Sequence, residues 1–90
     1  MADEREQAVS DSTIAVDLRA ALRAVAGALK AGALTHSREE WREHDAEFHI
    51  GRALDHLHKH EDGDDEEPHA SHAAVRILFA LQLEEEGKSR

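Results

Sequence analysis

Two runs of side chains in this 90-residue chain carry chemistry at helical spacing. Asp45, His49, Arg52 and His56 fall at steps of four, three and four, which places them on one stripe of a helix. His69, His72 and Arg76 repeat that spacing inside "PHASHAAVRILFALQLEEE", where an apolar helical run begins with two histidines on its first turn. Imidazole and guanidinium together suit phosphate oxygens, because Arg supplies a planar fork of donors and His gains or loses charge near neutral pH. Three or four imidazoles with a carboxylate suit zinc or another borderline divalent ion instead. Both chemistries stay open at this point. The candidate ligand-binding residues are His49, Arg52, His56, His69, His72 and Arg76, and Asp45 and Asp55 are the carboxylates that would join a metal. His36, His44, His58 and His60 read as surface decoration in a chain rich in charge.

Three helical patterns have to position these groups. With Ser12 as N-cap, a helix is expected over 12–33, its apolar face made by Ile14, Leu18, Ala21, Leu22, Val25 and Leu29. Ser37 followed by Glu39 and Glu40 reads as a capping-box start, and the second helix is expected over 38–60. The string "EDGDDEE" at 61–67 reads as a solvated acidic loop. Pro68 suits the first position of a third helix, expected over 68–86. Residues 1–11 have no apolar period and are expected to form a flexible acidic tail, leaving 12–90 as one domain. Strand alternation is absent, so the fold class is all-α, a small bundle of about three helices. The expected core faces are Ala46, Ile50, Ala53 and Leu57, widened by Trp41, Phe48 and Leu54, on the second helix, and Ala70, Ala74, Ile77, Leu78 and Leu81 on the third. Antiparallel packing of these helices brings the two polar stripes together near the acidic loop.

Composition narrows the partners. A formal net charge of −9 disfavours nucleic acid and anionic membrane as main ligands. No stretch approaches the roughly 20 apolar residues that cross a bilayer, and "MADEREQAVSDS" lacks the basic and apolar pattern of a leader, so a cytoplasmic protein is expected. Cys is absent, which removes disulfides, thiolate nucleophiles and cysteine-ligated zinc. A domain this short buries only about 60 to 65% of its unfolded surface, so a homo-oligomer is expected to complete the core. Trp41, Phe48 and Phe79 are the chain's aromatic residues, which leaves base recognition to backbone groups and aliphatic walls.

The histidine-rich "ALDH" helix, the acidic glycine-containing loop and "PHASHAAVRILFALQLEEE" resemble the N-terminal domain of the dATP/dGTP diphosphohydrolase family, which is common in phages and distantly similar to MazG-type pyrophosphatases. The resemblance covers about residues 49 to 86. It rests on Pro68, His69, His72, Ala73 and Ala74 with Ala53, Leu54 and His56 upstream, while the loop is shorter than the family's. It implies a nucleotide as ligand, cytoplasmic handling in a host cell, and Mg²⁺ or Mn²⁺ if the chain hydrolyses a purine deoxynucleoside triphosphate. The E-x-x-E and E-x-x-D arrangement of MazG-type enzymes is met nominally by Glu40, Glu43, Glu61 and Asp64, but the last two fall in the loop and read as solvated charge. Two further readings stand beside the hydrolase: a protein that sequesters a nucleotide or cyclic nucleotide without cutting it, as in phage counter-defence, and a dimeric helical interaction module without a ligand.

Overall fold

A computed structural model describes residues 10–88, so the expected tail lies outside the described residues apart from Ser10 and Asp11. The architecture is all-α: α1 (Asp11–Asp17), α2 (Arg19–Thr35), a 3-10 turn (Glu40–Glu43), α3 (Ala46–Glu61) and α4 (His69–Lys88). Ser10, not Ser12, caps α1, its Oγ accepting from the Thr13 amide at 3.3 Å. Leu18, with φ −106° and ψ 20°, separates α1 from α2 within what the apolar period joins into one helix. The helical hydrogen bonds on either side persist, Leu18 N–H to Ile14 O and Leu22 N–H to Leu18 O, and no Pro or Gly marks the break.

The second expected helix begins eight residues late. Ser37 accepts the Glu39 amide at 3.3 Å and closes a tight turn rather than capping a long helix. The 3-10 turn follows, and α3 starts after Asp45, whose carboxylate accepts the Phe48 amide at 2.9 Å. At its other end α3 closes in a Schellman motif. Gly63 has φ 82°, its N–H bonds His60 O at 3.1 Å, and the Asp64 N–H bonds Lys59 O at 3.0 Å. The His69 amide then bonds Glu67 O at 2.8 Å across Pro68, a three-residue turn that folds Glu67 back toward the helix it precedes. Pro68 therefore sits just before α4, and its carbonyl takes the first helical bond, from His72 N–H at 3.0 Å.

The α3 and α4 helices form an antiparallel hairpin, with α2 and the 3-10 turn laid against α4. The seam is not the one the larger aliphatic residues outline. Its buried residues are Ala53, Ala73 and Ala80 together with His49 (0% exposed) and His69 (2%). Ala46, His56 and Arg76 extend it as half-buried positions. These residues step by three and four along each helix, an a/d seam in which one position is alanine and the other is polar. Small alanine side chains let the two backbones approach, and the imidazoles fill the space between. Ile50, Leu54, Leu57, Ile77, Leu78 and Leu81, expected inside or at the edge of the core, are 37–50% exposed. The apolar residues of α1 and α2 are likewise unburied within the chain.

Candidate functional site

The seam has two polar ends. At the first, His49 is enclosed: its Nε2 donates to the Trp41 carbonyl at 2.8 Å, and its Nδ1 accepts from Arg76 Nη1 at 3.1 Å. Guanidinium has no lone pair to offer, so Nδ1 must be the bare nitrogen and the ring is neutral with its proton on Nε2. Trp41 stacks on Phe79 with centroids 4.7 Å apart, and Phe48 and Phe79 meet the His49 ring edge to face. Arg42 fastens this corner, its guanidinium 4.4 Å above the Trp41 ring and 2.6 Å from Glu86 on α4. Both nitrogens of His49 are therefore committed, and the ring supports Arg76 from beneath rather than facing a ligand.

At the second end, Glu67 Oε1 is a hub. It lies 2.9 Å from His72 Nδ1, 3.5 Å from His56 Nδ1 and 3.7 Å from His69 Nδ1. The α3 helix supplies His56 from its last turns, the Pro68 turn supplies Glu67, and the first turn of α4 supplies His69 and His72. Nδ1 of His56 also faces Nδ1 of His69 at 2.9 Å. Burial pushes the His56 imidazole below its ordinary value, with Glu67 opposing and the neighbouring imidazoles and Arg52 adding to it. The Glu67 carboxyl is held below the usual carboxylate range, chiefly by the hydrogen bond from His72.

One groove, with a volume of about 1040 Å³, joins the two ends. His56, Glu67, His72, Arg52 and Arg76 line it, together with Trp41, Phe48, Phe79 and the C-terminal part of α2. Thus all three aromatic residues converge where stacking was not expected. Arg76 is half-buried, and its guanidinium is pushed down from its ordinary value by burial and then by the positive charge of Arg52. Among the described residues its side chain makes no ion pair, only the bond to His49 and a face-on approach to Phe48 at 5.9 Å. Arg52 is half-exposed, with Asp55 at 3.8 Å.

Of the residues singled out by spacing, His56, His72, Arg52 and Arg76 share the groove, His49 lies beneath it, and His69 stands behind His56. The two carboxylates expected to join a metal do not stand with the imidazoles: Asp45 caps α3, and Asp55 is exposed beside Arg52. Among the described residues, the group able to hold a metal is His56, Glu67 and His72, with one donor atom from each lying within 4.8 Å of the others. Two imidazoles and one carboxylate fit a divalent ion and leave positions open for water or phosphate. Glu67 was hidden in the acidic string; its only mark is its place immediately before the proline that opens the histidine helix.

Residues 3–90 match the model of a family described as dATP/dGTP diphosphohydrolase, N-terminal. No curated protein and no solved structure matches the chain. Among the described residues no helix is long and apolar enough to cross a membrane.

Proposed function

We propose, because the chain belongs to the dATP/dGTP diphosphohydrolase N-terminal family, that its groove takes a purine deoxynucleoside triphosphate and, with one water, hydrolyses it to the deoxynucleoside monophosphate and inorganic diphosphate. The observation that carries this reading is Arg76: a half-buried cation without an ion pair among the described residues, beside a second arginine, opening on a groove. A partly desolvated guanidinium gains most from a ligand that brings its own negative charge, and phosphate oxygens match its fork of donors. Arg52 and Arg76 grip the phosphates, beside the His56, Glu67 and His72 group in the same groove. Phe48 offers an apolar surface to the rest of the nucleotide.

His56, Glu67 and His72 would hold the divalent ion. Such an ion neutralises phosphate charge and lowers the pKa of a bound water. Imidazole donors beside one carboxylate favour Mn²⁺ over Mg²⁺, which prefers oxygen ligands and retains its waters. The exposed aliphatic faces of the hairpin and of α1–α2 support a homo-oligomer, since a seam built on alanine leaves most of the large apolar side chains to water. Sedimentation at micromolar concentration should show at least a dimer, and a monomer would remove this part of the reading.

Incubation with dATP and dGTP in Mn²⁺ or Mg²⁺, followed by chromatography of the products, tests the main reading. Many turnovers per chain, with deoxynucleoside monophosphate and inorganic diphosphate appearing in equal amounts, is the expected result. Recovery of intact nucleotide from heat-denatured protein, at about one per site without turnover, would replace hydrolysis by sequestration. Absence of both turnover and binding would leave the interaction module.

A further inference from the structure

Behind His56, outside the groove, His69 has a side chain only 1% exposed. Its Nε2 is buried without a hydrogen-bond partner and lies 3.4 Å from Asp64 Oδ2. Its Nδ1 faces His56 Nδ1 at 2.9 Å. A contact between two imidazole nitrogens holds one proton, so the two rings cannot choose their tautomers independently. Asp64 is fixed from the other side. The Schellman turn at Gly63 delivers it, and its Oδ1 accepts the Glu66 amide at 3.0 Å, which leaves Oδ2 toward the ring. That same amide bond is the main reason the Asp64 carboxyl stays below the usual carboxylate range, so it faces His69 as an acceptor.

We propose that Asp64 and His69 are positioning residues that set the tautomer of His56: Asp64 Oδ2 accepts from His69 Nε2–H, His69 Nδ1 accepts from His56 Nδ1–H, and His56 is left with a bare Nε2 for a metal ion or a proton. A short rotation of Asp64 closes the 3.4 Å gap into a hydrogen bond and satisfies the orphaned nitrogen. Glu67 Oε1 stands almost equally far from the two facing nitrogens, 3.5 Å from His56 Nδ1 and 3.7 Å from His69 Nδ1, so the assignment rests on Asp64. A carboxylate behind a histidine is the usual way a protein fixes which ring nitrogen is free, and here the chain is longer by one imidazole. The tautomer assignment stands on its own geometry, whereas its effect on metal affinity rests on His56 being a ligand as proposed above.

The test is long-range ¹⁵N–¹H correlation of the histidine rings in the full chain, free of metal. The expected spectrum has His69 protonated on Nε2 and His56 on Nδ1; His56 protonated on Nε2, or His69 protonated on both nitrogens, would overturn the assignment. Asp64→Asn makes the sharper demand. Its amide oxygen can keep the Glu66 bond, so its NH₂ replaces Oδ2 and donates to His69 Nε2, and both rings should switch tautomer. Unchanged tautomers in D64N would overturn the chain. Mn²⁺ or Zn²⁺ titrated into D64N should bind about 10- to 100-fold more weakly than into the unmodified protein, and equal affinity would deny Asp64 its positioning role. If neither protein binds either ion while the tautomers behave as expected, the metal reading fails and the relay stands.

Discussion

His49 and His69 are both buried in one helix hairpin, and they are buried in opposite ways. His49 meets a main-chain carbonyl and a guanidinium, partners that do not change charge near neutral pH, and both of its nitrogens are satisfied. His69 meets His56 and Asp64, partners that titrate, and one of its nitrogens is unsatisfied. Burial alone therefore says little about what a histidine is for. The hydrogen bonds separate a ring that holds the fold from one poised behind a cluster of donors, because an unpaired buried polar atom costs free energy that structure alone does not explain.

The sharpest way to break this contrast is to replace each ring by leucine. His49→Leu strands the Trp41 carbonyl and Arg76, and should cost about 3 kcal/mol in denaturant unfolding. His69→Leu removes one unpaired nitrogen and a single bond, to the His56 ring at the edge of the groove, and should cost only about 1 kcal/mol. Equal losses would mean that His69 is as structural as His49. Next in size, Arg52→Ala should weaken triphosphate binding by about 1.5–3 kcal/mol by calorimetry with little change in stability, since Arg52 is exposed and its contact with Asp55 is long. An unchanged dissociation constant would take Arg52 out of the groove's function.

Gly63→Ala acts on one end only. It forces a side chain into φ 82° and should cost about 1–2 kcal/mol, while the tautomer of His49 stays as it is. The smallest effect concerns pH. The His56 imidazole is held below its ordinary value by burial, so the folded chain binds that proton more weakly than the unfolded chain. Its contribution to stability is full above the ordinary imidazole value and is lost as pH falls through the folded one. Glu67 and Asp64, both held low, add losses of the same sign once pH drops below the usual carboxylate range. Thermal melts of chelator-treated protein should fall from pH 7 to pH 5, and His56→Gln should flatten that limb. A parent melt that rises over the same interval contradicts the assignment.

The all-α class was legible because a 3.6-residue period survives even where a helix is interrupted. The face was not. Large aliphatic residues at Ile50, Leu57, Ile77 and Leu81 outline a plausible stripe one position away from the true seam, where side-chain size does not follow burial. Ala46 and Ala53, and again Ala73 and Ala80, stand seven apart, and that is the pattern a close-packed pair leaves in sequence. The residues that alternate with these alanines, His49, His56, His69 and Arg76, were legible as chemistry but not as seam, because polar side chains enter such positions only when partners are waiting. Those partners came from turns: the Trp41 carbonyl from a 3-10 turn, Glu67 from the fold across Pro68, and Asp64 from the Schellman motif. A turn sets distances that helical spacing does not encode. Asp45 carries a related lesson, since a carboxylate just before a helix has a local use as a cap.

The Schellman turn and the fold across Pro68 also bear on how the domain assembles. They draw His56, Asp64, Glu67, His69 and His72 from one uninterrupted stretch, residues 56 to 72, so the whole cluster needs only local chain closure. Contacts of short sequence separation form early and quickly. The donor cluster can thus take shape before α2 docks, and the stretch is a self-contained cassette that another antiparallel helix pair with an alanine seam could carry.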